Sequence, residues 1–226
     1  IKEVTDRVMI PKGYGKIVNV SSLCNHSGSG GMSAYCSAKA AISANNFQLL
    51  KTGDPDGEYW MPAMSDAPLR GYGGHEWFWE PGDEKLIYPL EQLVEMYYNS
   101  VGHNSTLILG ITPDTDGLIP KADGKRLKEL GEEINRRFCK PLIRIQGRGN
   151  QLNIILNNAT SINQVVLAED IREGERVREF VVEGKTSNGW EKLITGSCIG
   201  HKYIGRIDDV EVTEIRLNIL NSEAEP

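Results

Sequence analysis

The sequence predicts an α/β segment followed by an all-β region, with a separate βα piece in front. Three observations predict it. From Tyr88 to Phe138 the hydrophobic pattern runs helix, buried strand, loop, helix, the order of a β/α barrel. After Pro141 it changes to runs of strand composition divided by turn residues. Residues 1–42 have a strand–loop–helix pattern that breaks off near Asn45. The expected architecture is a βα fragment at 1–42, the C-terminal part of a (β/α)8 barrel at 45–139, and a β-sandwich at 140–226 that is cut short at its end.

Taken in order, Lys16-Ile17-Val18-Asn19-Val20 reads as a short buried strand, Asn25 to Gly31 as a Ser/Gly loop, and Ser33 to Ile42 as an alanine-rich helix. Asn45 to Glu84 is dominated by Gly, Pro, Asp and aromatics. It predicts long loops around a strand end, where sites sit on a rigid scaffold. Tyr88 to Ser100 is an amphipathic helix, with Leu90, Leu93, Val94, Tyr97 and Val101 on one face. Thr106 to Ile111 is a fully apolar strand of the kind buried in a parallel sheet. Pro113 to Gly117 is a polar turn, and Lys121 to Phe138 is a second helix striped by Leu127, Leu130 and Ile134. The predicted sandwich strands are Gln151–Leu156, Ile162–Leu167, Val177–Glu183, Glu191–Ile194 and Val210–Leu220. Turns are expected at Asn157-Asn158 and Ser187-Asn188-Gly189.

Composition excludes several classes of partner. The formal net charge of -6 over 226 residues argues against a nucleic-acid backbone or an anionic membrane surface. No apolar run approaches the roughly 20 residues of a membrane helix. The four cysteines (Cys24, Cys36, Cys139, Cys198) and four histidines (His26, His75, His103, His201) are scattered, without the spacing of a zinc site. No metal and no cofactor are expected.

In the front piece, Tyr35 and Lys39 lie one helical turn apart. A lysine ammonium beside a phenol favours the tyrosinate, so the pair can do acid–base chemistry. Ser22, at the end of the preceding strand, can bind a substrate oxygen. The tract Gly15 to Ser22, followed by Ser33 to Ala41 with Tyr35 13 positions after Ser22, resembles the short-chain dehydrogenase/reductase family. The resemblance implies a Rossmann-like βα fragment. That family binds its nicotinamide on a glycine-rich turn well upstream, and no such turn precedes this tract. A reductase without a cofactor pocket has no hydride to transfer.

In the main piece, Tyr59 to Gly71 leads into His75-Glu76-Trp77-Phe78-Trp79-Glu80-Pro81-Gly82-Asp83-Glu84. Sugar hydrolases need carboxylates flanking the anomeric carbon and aromatic faces against the apolar side of the sugar. On residue types alone, a carbohydrate subsite and a loop packed by its own aromatics fit equally. This segment, then Leu90 to Leu109 with its Ser100-Val101-Gly102-His103-Asn104 phrase, then Pro113 to Ile119, resembles the α-L-fucosidases. The phrases Glu169 to Val177 and Gly200-His201-Lys202-Tyr203-Ile204 are similar to that family's C-terminal sandwich.

The resemblance implies a retaining glycoside hydrolase acting on fucosylated glycans. The family's Asp nucleophile lies on an earlier strand, upstream of anything aligned here, so an incomplete hydrolase is expected. The family's Glu before an Asp corresponds here to Met64, which cannot transfer a proton. Glu80 and Glu76 are the acid/base candidates, Glu80 ahead. Trp77 and Trp79 are candidates for packing on the sugar, and His75 and Arg70 for binding its hydroxyls or a carboxylate. Glu169, Asp170, Arg172, Glu173 and Arg176 read as a charged strand-and-turn surface. Two alternatives stay beside the hydrolase: a non-catalytic carbohydrate-binding remnant and an NAD(P)-dependent reductase. The join near residue 43 is expected to mark a chimeric chain. Uncovered barrel edges predict poor solubility or oligomerisation.

Overall fold

The structure is a computed structural model describing residues 63–73, 78–172 and 174–226, within one compact unit, Trp60–Pro226. The reductase-like fragment, with Ser22, Tyr35 and Lys39, lies outside the described residues.

The first layer is a βαβα unit. Strand β1 (Ala63–Pro68) pairs in parallel with β2 (Ser105–Gly110), in the register Met64↔Thr106 to Pro68↔Gly110. Helix α1 (Leu90–Ser100) joins them, and helix α2 (Lys121–Phe138) follows β2. Strand β1 falls inside the stretch predicted as loop. Met64, Ser65, Asp66 and Pro68 give it neither β-branched residues nor a clean alternation, so pairing with β2 is what makes it a strand. The predicted helices agree closely with α1 and α2.

Both helices bury their stripes against the pair. Leu69, Ile87, Leu93, Val94, Tyr98 and Leu130 form a core, with Leu109 of β2 packed on it. Burying one such Leu or Val contributes about 1.5–3 kcal/mol. On the other face, Met64, Asp66, Thr106 and Ile108 are exposed, Met64 by 72%. Asp123 in the first turn of α2 and Arg136 and Arg137 in its last suit the helix dipole.

The second layer corrects the β-sandwich expectation. The described residues of this region form one four-stranded antiparallel sheet in the order β3-β6-β4-β5. Its strands are β3 (Gln151–Leu167), β4 (Val177–Thr186), β5 (Gly189–Gly196) and β6 (Tyr203–Ser222). Two predicted strands are one: Asn157-Asn158 is not a turn but part of β3, at a register shift between Ile155 and Thr160. A bulge absorbs the two asparagines without ending the ladder. Ser187-Asn188 does form the β4–β5 hairpin loop, with Gly189 at φ 110°.

The sheet curls so that its own faces meet. Ile194 of β5 packs on Gly205 of β6, where an added Cβ would fall 2.4 Å from Ile194 Cδ1. The Phe180 and Tyr203 rings stand edge to face at 5.1 Å. Phe180, Val182, Ile194, Val212 and Ile215 form this second core.

Three phrases quoted above from distant parts of the sequence meet where the layers join. Asn104, at φ 63°, donates through Nδ2 to Glu175 and accepts the His201 N–H through Oδ1 at 2.5 Å. Its own N–H donates to Lys202 O at 2.8 Å. Glu169 accepts the Arg176 N–H at 2.5 Å and the Gly200 N–H at 3.1 Å. The Ile204 N–H donates to Gly102 O at 2.8 Å. Tyr203 and Ile204 point to opposite faces, as successive strand residues must: Tyr203 packs on the sheet core and Ile204 enters the helical one. Around this clasp, the Tyr98 hydroxyl donates to Gln164 Oε1 at 2.7 Å, and Arg206 grips Glu95 with two bonds of 2.7 Å while covering the Tyr98 ring.

Candidate active-site loop

Because β1 and β2 are parallel, the loops after them leave from the same end of the pair. In β/α barrels that C-terminal end carries the chemistry. The loop after β1, residues 69–89, holds every candidate hydrolase residue. The loop after β2, residues 111–120, is shaped by Asp114, whose Oδ1 accepts the N–H groups of Asp116 and Leu118, both at 3.0 Å.

The base of the first loop is tied shut by backbone hydrogen bonds. Leu69 N–H donates to Gly110 O at 2.8 Å, Tyr88 N–H to Leu69 O at 3.1 Å, and Tyr72 N–H to Leu86 O at 2.9 Å. Gly71 passes under the Tyr88 ring, where a Cβ would sit 2.8 Å from Cε2. Inside this neck lies a buried ion cluster. Arg70 is 1% exposed, Asp123 0% and Asp83 8%. Arg70 Nε donates to both oxygens of Asp123 at 3.1 Å, its second guanidinium nitrogen bonds the same carboxylate, and its third bonds Asp83 Oδ1. The Asp123 hydrogen bond leads in raising the Arg70 pKa above its ordinary value; burial opposes it.

The candidates fall as follows. Arg70, expected to hold substrate groups, has protein carboxylates as its partners and serves the foundation of the loop. Glu80 is exposed, and its N–H lies 3.4 Å from Asp83 Oδ2. Trp79 is half-buried beside it; its indole N–H is out of solvent with no hydrogen-bond partner among the described residues. His75, Glu76 and Trp77 lie outside the described residues. Met64 stands on the β1 face turned away from the helices, with Asp66 on the same face two residues on. Asp170 and Arg172 pair with each other on the surface, and Arg172 holds the Asp170 carboxyl at about 2. Sequence reasoning missed Asp83 and Asp123. An Asp in the first turn of a helix is legible as a dipole partner, but its bond to Arg70 spans 53 positions and has no local signature.

Comparison with known proteins agrees with this geometry. Residues 43–137, the stretch holding β1, the site loop, α1, β2 and α2, match the α-L-fucosidase family. Among particular proteins, the chain is 27% identical to α-L-fucosidase 1 of Arabidopsis thaliana over 86% of its own length and 44% of that protein's. It superposes with a TM-score of 0.76 and 50% identity on a crystal structure assigned as an α-L-fucosidase from Bacteroides thetaiotaomicron, covering 79% of this chain and 42% of that one. A Ruminococcus gnavus GH29 fucosidase solved in complex with fucose matches at a TM-score of 0.65 and 25% identity, over 76% of this chain and 41% of that one. The chain thus spans less than half the length of these relatives.

Proposed function

We propose that this chain carries part of the site of a retaining α-L-fucosidase acting on fucosylated glycans. The observation that supports it is the pairing of β1 with β2. It delivers one loop, rich in carboxylates and tryptophans, to the C-terminal end of a β/α unit, within the very stretch that matches the family. In this reading β1–α1–β2–α2 is a portion of a (β/α)8 barrel, and its exposed face of Met64, Asp66, Thr106 and Ile108 is the barrel interior.

The chemistry assigned to the loop is that of the acid. Glu80, or Glu76, protonates the leaving glycosidic oxygen and then deprotonates the water that releases fucose. A second carboxylate, about 5–5.5 Å away, attacks the anomeric carbon. Trp79 and Trp77 offer aromatic faces to the C–H side of the sugar, and His75 a hydrogen bond to a hydroxyl. Hydrolysis of an aryl α-L-fucoside tests the reading. Turnover lost in Glu80→Gln or Glu76→Gln, with fucose affinity kept, supports it and identifies the acid. Neither turnover nor fucose binding by the unaltered chain refutes it.

One observation favours a second reading, glycan binding without hydrolysis. Met64 sits where the resemblance expects a Glu, and it cannot pass a proton. Fucose binding without turnover, unchanged by Glu80→Gln, selects that reading. The front segment keeps its own proposal as a remnant of a short-chain reductase. The family match begins at residue 43, directly after it. A chain that leaves nicotinamide fluorescence unchanged on titration is no reductase.

A further inference from the structure

We infer that Arg70 is a positioning residue for Glu80, acting through Asp83; the inference rests on the fucosidase-type reading of this loop. The argument starts from where the three charged groups come from. Asp123 belongs to the first turn of α2, Arg70 to the end of β1, and Asp83 to the far side of the loop. Among the described residues, Arg70 is the single group bonded to both carboxylates. A guanidinium can do this because its donors form a flat fork that meets two carboxylates at once, whereas a lysine ammonium is a point charge. Asp83 then has one oxygen on Arg70 and turns the other, Oδ2, toward the Glu80 N–H. A continuous line runs from the helix through the strand end to the backbone of the candidate acid.

Burial makes the Arg70–Asp83–Asp123 part of this line stiff, and the last contact, to the Glu80 N–H, is 3.4 Å. Two buried carboxylates share one buried cation, so moving Asp83 would strand charge out of water. Gly82, at φ 84°, makes the reverse turn that brings Asp83 back under Glu80. The carboxyl of Glu80 itself is exposed, so the described contacts fix it through its backbone and not through its side chain. An acid must lie within hydrogen-bonding reach of the glycosidic oxygen, and a displacement of about 1 Å costs on the order of a hundredfold in rate. Arg70 is therefore needed for the site without touching the sugar.

The test uses the full chain with an aryl α-L-fucoside and L-fucose as probes and the variants Asp83→Asn and Arg70→Lys. Asp83→Asn keeps the shape and leaves the Arg70–Asp123 pair intact. The expected result is an upfield move of the Glu80 amide proton resonance, faster exchange of that amide, and aryl-fucoside turnover lower by on the order of a hundredfold with fucose affinity kept, at a melting temperature close to that of the parent. Arg70→Lys, which keeps the charge but not the flat fork of donors, is expected to move the Glu80 resonance in the same direction. The double variant is expected to lose no more turnover than the worse single one, since both act in one unit. An Asp83→Asn chain with the parent's Glu80 resonance and turnover overturns the inference. So does an Arg70→Lys chain that lowers only the melting temperature. Should Asp83→Asn fail to fold, Asp83→Glu carries the same comparison. Should the parent bind no fucose, the fucosidase reading fails, while the Glu80 resonance still decides whether the line exists.

Discussion

Asn104 is the residue on which the two layers turn, and replacing it separates side-chain bonding from backbone strain. Its side chain donates to Glu175 and accepts from the His201 N–H, so Asn104→Gly removes one bond to a charged group and one between neutral groups. Those are worth about 1.5–3 and 0.5–1.5 kcal/mol, giving an expected loss of about 2–4 kcal/mol. Asn104→Ala loses the same bonds and must also hold a Cβ at φ 63°, which costs about 1–2 kcal/mol. Glycine gives back about 0.4–1 kcal/mol through its freer unfolded chain. The glycine variant should therefore be the more stable of the two by up to about 1.6 kcal/mol. Urea unfolding followed by near-ultraviolet circular dichroism measures both, and amide exchange at His201 and Lys202 should rise in each. An alanine variant as stable as the parent, or more stable than the glycine variant, would refute the reasoning.

Other consequences follow from single side chains. The Arg206 guanidinium, through its hydrogen bonds, holds the Glu95 carboxyl below its ordinary value of 4.5. The pair's contribution is therefore complete above pH 4.5 and is lost as the pH falls through the lower folded value. Glu95→Gln should remove that part of the acid limb of stability, and an unchanged acid limb would mean that the pair contributes nothing. Phe180, fully buried against Gly196 and Tyr203, should cost about 3–5 kcal/mol when cut to Ala; thermal unfolding within a degree of the parent would show that the sheet core closes over the gap. Gly200→Ala places a Cβ 2.2 Å from Asn104 Nδ2 at φ 59°. It should weaken the clasp as Asn104→Ala does, with little further loss when the two are combined, and additive losses would place them in separate units.

Helix α2 was legible to the residue because its stripe, its acidic first turn and its basic last turn are all local. The hairpin at Ser187-Asn188 was legible for the same reason. Strand β1 was not, since nothing in Ala63–Pro68 is strand-like until Ser105–Gly110 lies beside it. Asn157-Asn158 misled because asparagine pairs favour turns locally, and long-range pairing of β3 with β6 overrode them. Arg70 misled for a related reason: charge beside aromatics suggests a ligand, but its partners Asp83 and Asp123 arrive through the fold.

By itself, the sequence determined the helices, most of the strand positions, and the concentration of carboxylates and tryptophans in one loop, because periodicity and composition act between near neighbours. It also supplied the phrases at 100–104, 169–177 and 200–204, though as separate strings. Only the tertiary structure decided that those strings clasp one another, that the sheet is single and curled, and that Arg70 sits at the foundation of the loop. Each of these depends on groups dozens of positions apart being held within hydrogen-bonding distance, and that distance is a property of the packed chain.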